Sequence, residues 1–518
     1  MPLPLLGAQT GYRPRSARNQ LKDLVEDCLE ELFQVYDERF RDTYGPLHRR
    51  VRVVLESFLR CGDLHFGFLR LLCPRCGENR LVPYACRGRG LCPSCGQKRS
   101  LAWAERMVEE VLPIVLYRQL VFTIPRNLRK AFLFDRSLYG DLCRIAYAST
   151  RDFLRLEAAG RFPKLARAVP AMVVSPQSFG DLIVPHAHGH AIVSLGLFRH
   201  DGVFLPMEEV DFSGLEEIFR ERFFRMMLRR EKVRPETVER MRAWEHSGFA
   251  VNSERKIEAY DRKGLEGLLS YMERAPVSLR RLTYRQDEGL VHYQGTRFHP
   301  RLGRDHQLLP AMDFLASLVP HIALRYEVTV RSYGALSTTF RRKAGWIQKP
   351  PVQEPPLRAK PLPDFDAPEA ERPSVSMDPP SPPLPATTAP TLLPPRDEEG
   401  EFARKKRRNW ARLIARTWLC DPELCPSCGE RMRVVAAISS PTQDDVIEKI
   451  LKSRGEWDPP WKRLRKIRGP PSPGTPGGTP GSQSSRPSQP AEENWIEGAD
   501  PPHPDLDIDP PFEDGGDG

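Results

Sequence analysis

Three histidines, His186, His188 and His190, stand at alternate positions in FGDLIVPHAHGHAIVSLGLF, leading into the apolar run HAIVSLGL. Residues two apart on a strand share a face, so all three imidazoles can converge on a single ion. Imidazole suits zinc, manganese and other divalent metals alike, and the ligands alone leave the metal open. A metal-dependent small-molecule hydrolase would need acidic ligands as well, and Asp181 is the only one close upstream.

Cysteine supplies a second chemistry. Six of the eleven cysteines form three Cys-x-x-Cys pairs. Without a secretory apolar stretch, such pairs suggest metal ligands rather than disulfides. Cys73, Cys76, Cys92 and Cys95 form two pairs with fifteen residues between them, a spacing that reads as one closed, tetrahedral structural zinc site. Gly77 and Gly96 follow the pairs where a knuckle turns sharply. Cys86 is a fifth candidate, either replacing one of the four or packing beside them. Arg87, Arg89, Lys98 and Arg99 ring this module and either touch phosphate or keep it soluble. The third pair, Cys425 and Cys428, has Cys420 five residues earlier and only His503 after it. It is a complete zinc site or a metal-free hairpin.

The elements that must position these groups make an α+β multidomain chain. Apolar residues at three- and four-residue spacing predict helices over about 20–60, ahead of the cysteine module at 61–100. A helix stopped near Pro113 and the strand-like YRQLVFTIP follow, then a helical region over 130–158. Short apolar runs from Ala171 read as buried strands. Helices are expected over 212–245 and in KGLEGLLSYMER, which Pro276 ends. RRLTYRQ and GLVHYQ flank Asp287-Glu288-Gly289 as a hairpin. The expected divisions are 20–110 helical and zinc-binding, 111–345 catalytic, 346–403 a proline-rich linker, 404–458 a small module, and 459–518 a disordered tail. No internal repeat is found.

Composition narrows the partners. Residues 350–395 and 459–511 hold 16 and 14 of the 52 prolines. No run approaches the 18 apolar residues of a membrane span. The net charge is +10, yet the last 28 residues carry ten acidic residues and no Lys or Arg, so residues 1–490 carry +20. A body that basic suits a polyanion such as nucleic acid. The run RKKRR at 404–408 would contact phosphate or serve as a solvated charge run.

CPRCGENRLVPYACRGRGLCPSCGQKRS, YRQLVFTIPRNLR, QSFGDLIVPHAHGHAIV, GLEGLLSYMERAPVSLRRLTY, VRSYGALS and WLCDPELCPSCGERMRVVAAI occur in the order of a known family. The chain resembles rolling-circle (HUH-type) insertion-sequence transposases of the IS91 kind, over about 20–345 and 404–455. The resemblance implies a central antiparallel sheet on which His188 and His190, with His186 as a third contact, hold catalytic Mg²⁺ or Mn²⁺. It implies that Tyr271 is the nucleophile, attacking single-stranded DNA at element ends and target to form a 5′-phosphotyrosine; on its residues alone, Tyr271 reads as a helix tyrosine packed beside Leu268. Gly189 departs from the family's bulky residue between the histidines. Gly267 and Ala275 stand four residues either side of Tyr271, which resembles the single-tyrosine branch; Tyr260 is a reserve candidate. His321 and Tyr333 match late family positions, as do Arg118 and Gln119, though on their residues alone His321 and Tyr333 read as core. The expected setting is the cytoplasm, at the nucleoid. The competing readings are a non-catalytic zinc-ribbon DNA-binding regulator, decayed from a transposase, and a replication initiator or relaxase.

Overall fold

The computed structural model describes residues 19–346, except 160, 163, 164, 166, 254 and 300–302, and residues 423–458. The basic run at 404–408, Cys420, His503 and the tail lie outside the described residues.

The architecture is α+β, with every paired strand antiparallel. Helices α1 (Gln20–Arg39) and α2 (Arg49–Leu59) open the chain. The Lys22 ammonium reaches the end of α2, donating to the carbonyls of Leu59 (2.9 Å) and Cys61 (2.5 Å); burial lowers its pKa. Strands β1 (Gly67–Leu72) and β2 (Asn79–Pro83) form a hairpin, and α3 (Pro93–Arg106) follows with Pro93 in its first turn. A π-helical turn, Met107–Val111, ends that helix before Pro113.

The central sheet gathers β3 (Tyr117–Thr123), β4 (Ala171–Phe179), β5 (Pro185–Ser194), β8 (Ala250–Asn252), β9 (Lys256–Ile257) and β13 (Arg331–Gly334). Its order is β13-β4-β5-β3-β8, with β9 also on β3. Strand β5 is therefore internal, and nine of its ten residues are buried. Strands β6 (Gly196–Phe198) and β7 (Phe204–Pro206) pair beside it.

Helices cover both faces. Helix α4 (Leu138–Ala158) and helix α5 (Leu215–Arg229) bury Leu142, Ala146, Phe219 and Phe223 with Phe122, Val174, Ala191 and Val193 of the sheet. Helix α6 (Arg262–Met272) places Leu265, Leu268, Leu269 and Met272 with Tyr117, Val173 and Ile192 of the other face. Each Leu, Ile, Val, Phe or Met among them contributes about 1.5–3 kcal/mol of burial.

A further sheet, β10 (Leu282–Arg285), β11 (Leu290–His299) and β12 (Arg304–Pro310), packs with α7 (Ala311–Leu318) against α1 and α2. The hairpin expected at Asp287-Glu288-Gly289 forms there, with Gly289 at φ +65°. The last described strand, β14 (Arg433–Ser439), returns to the first hairpin and gives the order β14-β1-β2. Helix α8 (Asp444–Ser453) packs behind it.

Candidate active site and cysteine clusters

On β5, His186, His188 and His190 share one face with Gln177 and Ser175 of β4 and Thr123 and Val121 of β3, which pair directly with His188 and His190. His188 and His190 are each 1 % exposed. Their Nε2 atoms stand 3.0 Å apart. Two ligands about 2.1 Å from an octahedral ion, at right angles, are separated by about 3.0 Å, so the pair fits one divalent cation. His188 Nδ1 lies 3.0 Å from the His186 carbonyl. That is the arrangement by which a ligating histidine donates its far N–H to a backbone oxygen and keeps Nε2 for metal. His186 does not close a three-ligand group: among the described residues, the only such groups are all cysteine.

Gly189 points the other way. A Cβ there would meet Phe122 and Val174 at 3.9 Å and Leu142 at 4.0 Å, ordinary contacts on the far side of the sheet from the imidazoles. Asp181 is committed elsewhere, accepting from the Arg281 guanidinium and the Thr296 amide, each at 2.7 Å.

Helix α6 begins where Asp261 accepts from the Gly264 amide at 2.8 Å. Its last carbonyl, on Met272, would be an orphan of the helix end. Ser175 Oγ (3.0 Å) and Gln177 Nε2 (3.2 Å) donate to it from the histidine face. This tie sets the half-buried Tyr271 edge-on to His190, ring centroids 5.7 Å apart, while the Arg274 guanidinium covers the Tyr271 ring at 4.2 Å. Tyr271 and Arg274 border a cleft with Lys263 and Ser270 on one side and Ser94 and Gln97 of α3 on the other. Sequence reasoning missed Ser175, Gln177 and Arg274. Two polar residues at i and i+2 within the apolar run AMVVSPQSF were the available signal.

Other candidates fall outside this cluster. Tyr260 is 86 % exposed ahead of α6. His321 has both ring nitrogens engaged, Nδ1 with Ser178 Oγ (2.9 Å) and Nε2 with the Ile183 carbonyl (3.2 Å), and burial lowers its pKa to about 3. Tyr333 stacks on Tyr147 of α4, on the apolar side of the sheet. Arg118 and Gln119 lie on β3 away from its His188–His190 pairings. Burial raises the pKa of Glu273, whose carboxylate meets Arg99 at 3.5 Å.

The cysteines are grouped otherwise than their spacing suggests. Cys92 and Cys95 join Cys61 and Cys86, whereas Cys73 and Cys76 join Cys425 and Cys428. The expected single set of Cys73, Cys76, Cys92 and Cys95 is therefore corrected to two sets of four. The physical reason is that β1 and β2 carry the first knuckle away from α3, where Cys92 caps the helix beside Cys61. Cys61 was missed altogether, and Cys86 is a full member of its set. The sulfurs of each set all lie within 4.8 Å of one another, with the short separations 3.7–3.9 Å in the first set and 3.5–3.6 Å in the second. A tetrahedron of thiolates about 2.3 Å from zinc has edges near 3.8 Å, so both sets fit structural zinc.

Two arginines of this module, Arg89 and Arg99, serve its docking. Arg89 donates to the carbonyls of Glu327 (2.7 Å) and Leu324 (2.8 Å), and Arg99 reaches Thr329 Oγ1 at 3.2 Å. Gly90, at φ +77°, lets the loop lie against the His321 carbonyl, which a Cβ would strike.

Residues 32–124 match a family model described as "Transposase zinc-binding domain", and residues 172–344 match one described as "Putative transposase". A cysteine-rich zinc domain leading into a sheet that matches a transposase makes this chain a transposase. It belongs to the IS91 family, and DNA is the partner this implies. No curated protein and no solved structure matches the chain. Among the described residues no helix is long and apolar enough to cross a membrane.

Proposed function

We propose that the chain nicks and rejoins single-stranded DNA through a covalent 5′-phosphotyrosine on Tyr271, as an HUH-type rolling-circle transposase. One observation carries the reading: the Tyr271 ring lies 5.7 Å from His190, whose Nε2 is 3.0 Å from that of His188, on one face of an internal strand. Residues 111–345 form the catalytic unit, and its antiparallel sheet is the HUH-type sheet. His188 and His190 would hold Mg²⁺ or Mn²⁺, with His186 supplying the carbonyl that orients His188. Such a cation supplies Lewis-acid stabilisation of charge on the scissile phosphate.

The protein's own part is positioning and nucleophilic attack. The phenolate oxygen of Tyr271 attacks phosphorus, the bond to the 3′ oxygen breaks, and a 3′-hydroxyl is released. The phosphodiester energy is kept in the tyrosyl ester, so rejoining needs no ATP. Arg274 steadies the ring from its open face and brings positive charge to the cleft through which the DNA backbone would run. A zinc-binding domain ahead of the histidines favours transposition over replication initiation or plasmid relaxation. The setting is cytoplasmic, at the nucleoid.

Incubation with single-stranded oligonucleotides from the element's ends and Mn²⁺ should yield a denaturation-resistant protein–DNA adduct. Tyr271→Phe should abolish it while leaving DNA binding intact. A wild-type chain that binds these ends yet forms no adduct on any of them would instead be a zinc-ribbon regulator.

A further inference from the structure

The cysteine pair near the C-terminus is half of a site. Cys425 and Cys428 lie outside both regions that match transposase families. Their sulfurs nevertheless stand 3.5–3.6 Å from those of Cys73 and Cys76, some 350 residues earlier in the chain. The two knuckles are built alike. Both read Cys-Pro-x-Cys-Gly-Glu. In each, the glycine amide donates to the first cysteine's carbonyl, Gly77 to Cys73 at 3.0 Å and Gly429 to Cys425 at 2.9 Å. The first cysteine's amide also donates beyond each knuckle, Cys73 to Glu78 and Cys425 to Glu430, both at 2.8 Å. Gly77 and Gly429 take φ of +77° and +72°, the left-handed turn that glycine allows. Cys92-Pro-Ser-Cys95-Gly differs, since its proline starts a helix and its thiols turn to Cys61 and Cys86.

The surrounding structure is shared in the same way. Strand β14 pairs along β1 from Gly67–Ser439 to Leu72–Arg433. Ala436, Ile438, Ile447 and Leu451 form a core only together with Phe68 and Leu81 of the first hairpin. The described C-terminal stretch, 423–458, is too short to bury a sufficient core alone. Cys76 is exposed and Cys428 half-buried, whereas the other set has no exposed member, with Cys86 half-buried and Cys61, Cys92 and Cys95 buried.

We infer that Cys73, Cys76, Cys425 and Cys428 bind a second zinc ion that staples the C-terminal module to the N-terminal hairpin as the two halves of one split ribbon. This ion, with two ligands open to solvent, leaves before the buried one under chelation. The inference is independent of the histidine and tyrosine chemistry.

Zinc content of the purified full chain tests the first claim. Two ions per chain are expected, falling to one in the double variant Cys425→Ser, Cys428→Ser and remaining two in the control Cys28→Ala, whose thiol lies in neither set. One ion in the wild type, or two in the double variant, overturns it. For the staple, a protease site is inserted within 350–400 of the full chain and cut after folding. The C-terminal piece should co-elute with the body when zinc-loaded. It should separate in the cut double variant, which keeps the buried ion, and at the first phase of a chelator titration of the cut wild type. Separation while two ions are bound, or co-elution after the first is gone, overturns the staple.

Discussion

On one face of β5, His186, His188 and His190 lie among Ser175, Gln177 and the helix of Tyr271; on the other, Ala187, Gly189 and Ala191 lie against Phe122, Val174 and Leu142. Both faces are dry, but only the second is cheap to bury. Polar groups taken from water cost free energy unless hydrogen-bonded, and the first face meets that cost with the Met272 tie and the His188–His186 bond. The apolar face carries the stability that lets the polar one exist. On the proposed function, the two sides of a single strand divide the work, reactivity on one and cohesion on the other.

The largest test of that division is His188→Ala with His190→Ala. Adduct formation per folded molecule should fall about a thousandfold or more, the several kcal/mol that a Lewis acid contributes. A double variant that keeps full adduct yield removes the division. Across the strand, Leu142→Ala should cost about 2–5 kcal/mol in denaturant unfolding and leave the adduct rate per folded molecule unaltered. His321 sharpens the contrast as a buried histidine with both nitrogens engaged. Its folded pKa of about 3 lies below the unfolded value near 6.5, so the unfolded state binds the extra proton. Its contribution is complete above pH 6.5 and declines by about 1.4 kcal/mol per pH unit below it, toward pH 3. In His321→Gln the slope of stability between pH 6.5 and 5 should flatten by that amount; an unchanged slope counts against it. The smallest effect is expected at Gly189→Ala, where the added methyl has room and a strand glycine is entropically costly. Melting should show a gain of about 0.5–1 kcal/mol, with adduct yield unchanged.

Strand β5 was legible because the relevant period is short, while its place in a central antiparallel sheet came from the family resemblance. Alternation along β5 requires no knowledge of the rest of the chain to put His188 and His190 side by side. Tyr271 was a candidate only through family resemblance, since its spacing within α6 suits a packed helix residue. The cysteine partners were misread because nearness in sequence stood in for nearness in space. Fifteen residues suggested a mate for Cys73 and Cys76, but β2 and the loop through Cys86 spend those residues reaching another site. The repeated frame CPRCGE and CPSCGE, set against the helix-starting CPSCGQ, held the better clue. Cys61 stands in no motif, and nothing short of the packing of α2 reveals it.

The split ribbon also orders events at birth. At about 5–20 residues per second, a ribosome takes roughly 20–70 s to travel from Cys76 to Cys428, 352 residues on. Throughout that wait the nascent hairpin offers two bare thiols and an unsatisfied β1 edge, so a module begun early in synthesis is finished only after Cys428 is made.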